Sequence, residues 1–125
     1  MNNTSASGIL WTGRDPRDQP VQIKDATWFQ KIGTTPDRVW LLRYVDCVKQ
    51  VFVDPRIILE DVVHPNREHY VDLFFPPEKG HIMGMVVIAE VLDNGMRDLV
   101  TIIAKSNTLR QEKGGILYER SSPTT

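Results

Sequence analysis

Between two long apolar runs, "HIMGMVVIAEVL" and "DLVTIIAKS", sits Asp93-Asn94-Gly95. Asn-Gly flanked by apolar segments is the strongest short-range hairpin signal a sequence offers. The side chains of paired strands then sort onto two faces, and the loop length decides which residue goes where. A two-residue Asn94-Gly95 loop opposes Glu90 to Leu99, Ala89 to Val100, Ile88 to Thr101 and Val87 to Ile102. A three-residue loop opposes Glu90 to Asp98, a like-charge pair that costs stability, so the two-residue register is expected.

In that register one face carries Met85, Val87, Ala89, Val91, Val100, Ile102 and Ala104, and packs against helices. The other carries Val86, Ile88, Glu90, Leu99, Thr101, Ile103 and Lys105, with Arg97 at its end. Glu90 lies diagonal to Arg97 and Thr101, about 7–8 Å between backbones. These three form a candidate polar site: Glu90 as acid or base, Arg97 to stabilise a developing anion, Thr101 as a hydroxyl between them. Lys105 stands about 13 Å along the strand from Thr101, within reach of a phosphate but not of the same bond. The competing reading is a cross-strand salt bridge beside a threonine suited to strands.

Elsewhere the chain alternates helix and strand signals. Residues 1–20 are polar or loop-forming, including "TGRDPRDQP", and are expected to be a flexible lead; 121–125 read as a disordered tail. "VQIK" is a short strand. Asp25 caps a helix "ATWFQKI" that stops at Gly33, and Thr35-Pro36 marks a second helix start. Residues 36–53 place Leu41, Tyr44, Val45, Val48 and Phe52 on one helical stripe, while their valines and aromatics also suit a hairpin turning near Asp46-Cys47. "HYVDLFF" and "GGILYE" supply two more strands, with Gly114-Gly115 as the turn into the last. The expectation is one α+β domain over residues 21–120, with one or two N-terminal helices packed on a four-stranded antiparallel sheet.

Bulk properties exclude several classes of function. With 41% apolar and 25% charged residues, 125 residues support a single core. Cys47 is the lone cysteine, so no disulfide framework or cysteine-based metal site is available. His64, His69 and His81 do not fall at metal-ligand spacing, and no dinucleotide fingerprint is present, so no metal and no cofactor are expected. No apolar run reaches the length of a membrane span, and "MNNTSASG" lacks the features of a signal peptide; a cytoplasmic location is expected. The net charge is −1, split as +2 over residues 94–120 and −3 over the remainder. That basic excess is local, concentrated around "SNTLRQEK", whose Arg110 is a candidate substrate contact.

The order "TWFQKI", "VFVDPRIILED", "REHY", "VVIAEV", "DLVTIIAK", "GGILYE" resembles the phage- and mobile-element-borne proteins of the barnase, EndoU, colicin-nuclease and RelE-like ribonuclease fold, over about Val21 to Glu119. The resemblance implies metal-independent RNA cleavage by general acid–base chemistry. It matches Trp28 to a tryptophan that relatives place two residues before a His-Ile pair; Lys31 here stands in the histidine's place, before Ile32. It also matches Thr101 to a strand threonine, and Arg67 and Tyr70 to an Arg-to-Tyr segment ahead of the sheet. Lys31, Glu90, Arg97, Thr101 and His69 are thus the catalytic candidates, with Arg67, Tyr70, Lys105 and Arg110 as substrate contacts. RNA and a cognate antitoxin or immunity protein are the implied partners, for a monomer or a homodimer. The alternatives are an inactive binding module of the same fold, or a homodimer formed through Ile88, Leu99 and Ile103.

Overall fold

The computed structural model describes residues 8–106 and 114–121. Strands β1 (Ile9–Arg14) and β2 (Pro20–Lys24) form a hairpin at the start. A helical layer follows: a π-helical segment Ala26–Lys31, 3₁₀ turns at Ile32–Thr34 and Val39–Tyr44, and helix α1 (Val45–Val53). Strands β3 (Ile57–Glu60), β4 (Arg67–Phe74), β5 (Met83–Val91) and β6 (Arg97–Lys105) run as an antiparallel meander, and β7 (Ile116–Glu119) pairs back on β3. The strand order is β1-β2-β6-β5-β4-β3-β7, with β2 parallel to β6.

This corrects the expected four-stranded antiparallel sheet with N-terminal helices. The sheet has seven strands and is mixed, and its first hairpin precedes the helical layer. Two short strands escape a pattern search: β3 offers four residues, starting two positions after Pro55, and β1 is interrupted by Gly13 and a bulge. Ile9–Arg14 lies within the expected flexible lead yet pairs with β2. Residues 39–53 are helical throughout, and Asp54-Pro55 ends α1, because proline cannot extend the helical hydrogen bonding.

The helical layer covers one sheet face. Trp28, Ile32, Leu41, Val48, Val51 and Phe52 bury against Val21, Ile23, Ile58, Tyr70, Met85, Val87, Leu99 and Ile102. A smaller apolar cluster, Leu59, Val71, Val86 and Ile88 with Ile57, Val100 and Ile103 beside it, forms the opposite face.

The β5–β6 turn is a three-residue loop, not the expected two-residue one. Leu92 N–H donates to Met96 O, Gly95 N–H donates to Leu92 O, and Gly95 takes φ +88°, the left-handed conformation that such loops reserve for glycine. Near the turn Glu90 therefore opposes Asp98, and Ala89 opposes Leu99. A bulge then inserts Val100, and from Ile88–Thr101 outward the pairing is the expected one. The like-charge pair is tolerated because each carboxylate has its own partner. Gln22 Nε2 and Lys24 Nζ reach Asp98 at 3.1 and 3.2 Å, and Asn66 Nδ2 reaches Glu90 at 3.1 Å. The bulge moves Leu99 into the main core and Val100 out to the opposite face. The apolar trio Ile88, Leu99 and Ile103 is not an exposed interface: Leu99 is 2% and Ile88 8% accessible.

Among the described residues no helix is long and apolar enough to cross a membrane. At the β3–β7 seam a Cβ on Gly114 would lie 1.7 Å from Glu60 O, a main-chain atom that cannot swing aside. Gly114→Ala is expected to push β7 off β3 and cost about 1–3 kcal/mol, the range for forced overpacking. Urea unfolding, together with faster amide exchange at Tyr118, checks it.

Candidate functional site

Polar side chains gather in two clusters, on opposite faces of the sheet. The first lies under the β1–β2 turn, on the helix-covered side. Asp15, whose side chain is fully buried, uses Oδ1 to accept the Arg17 and Gln19 amides at 2.8 and 3.0 Å, an acidic side chain closing its own turn. Arg17 Nη2 donates to Asp15 Oδ2 at 2.6 Å, to Glu68 Oε1 at 2.7 Å and to the Tyr70 hydroxyl at 3.1 Å. The Tyr70 hydroxyl donates to Asp15 Oδ2 at 2.7 Å. Arg97 donates from Nε to Glu68 Oε1 at 3.2 Å and from Nη1 to Gln19 Oε1 and Gly95 O.

Burial works to raise the Asp15 carboxyl, but Arg17, the Gln19 amide and the Tyr70 hydroxyl outweigh it and hold the group below the usual range. Glu68 is likewise lowered: burial opposes, and Arg17 and Arg97 prevail. Burial pushes the Tyr70 phenol up, and the neighbouring Asp15 carboxylate adds to this. Two cations and two anions thus close on one another. Among the described residues no buried side-chain nitrogen or oxygen lacks a hydrogen bond.

The second cluster lies on the face without helices. The β4–β5–β6 register sets it out in rows: Arg67, Glu90 and Asp98; His69, Ile88 and Thr101; Leu73, Gly84 and Lys105. Directly opposed residues share a face. His69 and Thr101 therefore flank Ile88, about 10 Å apart at two strand spacings. Glu90 is a diagonal neighbour of His69, about 7–8 Å away between backbones.

His69 is oriented by Asp61, whose Oδ2 lies 2.8 Å from Nε2. The other oxygen of Asp61 accepts the N–H groups of Val63 and His64, both at 2.8 Å, and so shapes the β3–β4 turn. Burial raises the Asp61 carboxyl, but those two amides and the His69 ring more than offset it, bringing the group down to about 2. An ionised Asp61 accepts a proton-bearing Nε2 and so fixes the ring's orientation and tautomer.

The sequence candidates are therefore divided. His69, Glu90, Thr101, Arg67 and Lys105 share the helix-free face. Arg97 and Tyr70 belong to the closed network on the other side. The bulge is what separates Arg97 from Glu90: it puts Arg97 opposite Val91 and turns it towards Glu68. Lys31, exposed at the end of the π-helical segment, stands in the helical layer with the sheet between it and Glu90. Arg110 lies outside the described residues. Sequence reasoning missed Asp61, Asp15, Arg17 and Glu68. Asp61 had a local signal, an acidic residue two and three positions before the amides of a turn that ends at Pro65. Asp15 had the same kind of signal, two and four positions before the amides of its own turn, whereas the meeting of Arg17 with Glu68 joins segments about fifty residues apart and had none.

Among the described residues no three His, Cys, Asp or Glu side chains gather as metal ligands. No family model, no curated protein and no solved structure matches this chain.

Two predictions follow from these pairs. Arg17→Ala leaves the buried Asp15 carboxylate without its cation and Glu68 with Arg97 alone, and is expected to cost about 3–5 kcal/mol, the scale for breaking one side of a buried ion pair; urea midpoints measure it. Asp61 carries a native-state value of about 2 against 3.8 for an unperturbed carboxyl. Its stabilisation is complete above 3.8 and disappears as pH falls through 2. The Asp61→Asn variant lacks this contribution, so its stability should fall less than wild type across that window. Asp15 and Glu68 titrate in both proteins and cancel in the difference.

Proposed function

We propose that the helix-free face acts on RNA, cleaving it without a metal ion by general acid–base chemistry. The observation that carries this reading is the His69–Asp61 pair at 2.8 Å, on the same face as Glu90, Arg67, Thr101 and Lys105. Attack of a ribose 2′-hydroxyl on the neighbouring phosphorus needs a base to take its proton. It also needs a cation beside the charged phosphorane and an acid to protonate the departing 5′-oxygen. Glu90 and His69 are two proton-transfer groups on adjacent strands, spaced diagonally to leave room for a phosphate between them. Arg67, directly opposite Glu90, supplies positive charge at that end of the row. Lys105 lies further along, placed for a flanking phosphate and not for the scissile one. Arg97, Tyr70 and Lys31 have no part in this reading.

A second reading, a binding module that contacts a partner without cleaving RNA, is favoured by the net charge of −1 and by the low exposure of the His69 side chain, 16%. Phosphate-gripping surfaces usually carry a basic excess.

Cleavage of total RNA in the presence of EDTA separates the two. The wild type is expected to cleave, His69→Ala and Glu90→Gln to lose about 10²-fold or more, and Lys31→Ala to match wild type. Folded wild type that leaves RNA intact moves the assignment to the binding module. Cleavage that survives both His69→Ala and Glu90→Gln removes this face as the site.

A further inference from the structure

The parallel partner of β6 runs out early. β2 pairs with β6 through Val21 with Arg97 and Gln22 with Asp98, at the start of a strand that continues to Lys105. The chain then leaves β2 for the π-helical segment at Ala26. On its other flank β6 stays paired with β5 as far as Lys105 opposite Gly84. Alternate residues of a strand turn their N–H and C=O groups to the same flank, so Ile102 and Ala104 point the same way. The Ile102 carbonyl shows which way that is. It accepts a 2.8 Å hydrogen bond from Nε of Arg38, a residue of the helical layer. A guanidinium N–H thus stands where the N–H of an adjacent strand would be. Alongside lies a cleft walled by Asp37, Arg38, Trp40 and Leu41 on one side and by residues 102–104 of β6 on the other.

We propose that this flank of β6 takes up an extended segment of a partner protein as an added strand, with an acidic side chain of that segment pairing with Arg38. The chemistry of the flank selects the occupant. Outward main-chain groups recur at every second residue, about 6.8 Å apart, and an extended polypeptide presents N–H and C=O groups at the same repeat. Main-chain donors from the added strand replace the Arg38 bond to Ile102. The freed guanidinium then pairs with a carboxylate in a charge-assisted bond. Its present acidic neighbour holds it loosely: Arg38 Nη1 and Asp37 Oδ1 are 3.5 Å apart, and the Asp37 side chain is 78% exposed. Trp40, stacked on Phe74 at 6.3 Å with Lys79 Nζ 4.6 Å over its ring, gives the cleft a fixed wall.

This site uses none of the polar side chains proposed for the His69 face, so either assignment can fail alone. The test uses the ¹⁵N-labelled full chain and a capped peptide of sequence Thr-Val-Glu-Val-Thr, with a control in which both valines are proline and cannot complete a strand. Saturable shifts of the Ile102 and Ala104 amides are expected with the first peptide and not with the second. Affinity should fall about tenfold or more in Arg38→Glu, about 1.4 kcal/mol or more. Arg38→Ala, in which the Ile102 carbonyl loses its present donor and the carboxylate loses its partner, serves if Arg38→Glu does not fold. Absence of shifts at millimolar peptide, or equal shifts with the proline control, overturns the proposal. So does slow amide exchange at Ile102 and Ala104 in the free chain, which would mean that the edge is already bonded.

Discussion

One extra residue in β6 decides how the polar chemistry of this protein is distributed. Because side chains alternate along a strand, the bulge between Ala89–Leu99 and Ile88–Thr101 reverses the facing of everything between it and the turn. Leu99 enters the main core and Arg97 follows it to the helix-covered side, where Glu68 waits on β4. Asp98 goes the other way, to the face that Glu90 holds in either register. With an unbulged strand and a two-residue loop, Arg97 would stand on the face of Glu90 and Thr101 as a cation beside a carboxylate. The bulge instead leaves Glu90 near His69 and Arg67, and commits Arg97 to structure.

The network that Arg97 joins explains why the N-terminal hairpin belongs to the domain. β1 and β2 touch the rest of the sheet through two paired residues of β6. Arg17, at the tip of the hairpin, compensates by reaching Glu68 and Tyr70, more than fifty positions away in sequence. Taking four charges out of water is costly, and such a cluster stabilises a fold only when every member is satisfied. Here each one is: Asp15 by two main-chain amides as well as Arg17, Glu68 by two arginines, and Tyr70 by Asp15. The Phe52 ring packs on Tyr70 edge-on at 4.9 Å, so the polar cluster continues directly into the apolar core.

What was legible in the sequence follows from range. The hairpin at Asn94-Gly95, the helical stripe through Leu41, Val48 and Phe52, and the stop at Pro55 are local features, and local patterns describe them. The loop length was misjudged for a non-local reason. Opposing Glu90 to Asp98 is unfavourable only while neither has another partner, and Gln22, Lys24 and Asn66 arrive from elsewhere in the chain. The parallel β2–β6 pairing joins segments some seventy-five positions apart through a crossover, and no period in either strand announces it. At the candidate site His69 was visible as a residue type, whereas its orientation depends on Asp61 across the β3–β4 turn. Residue types could be listed from the sequence; which of them meet could not.

The two polar clusters also differ in what they can do chemically. In the Arg17 network every strong donor faces a carboxylate, and the pKa directions of Asp15, Glu68 and Tyr70 all favour the charge states that keep it closed. A proton moved within it would leave a buried charge uncompensated, so it resists acid–base work near neutrality. Asp61 is different. Its carboxylate is anchored by two amides that do not titrate, and its second oxygen holds the His69 ring in place. A fixed anion stands behind an imidazole there, with Glu90 one strand away. That asymmetry, and not the number of charged residues on either side, is the ground on which acid–base chemistry is proposed for the face that the helices leave uncovered.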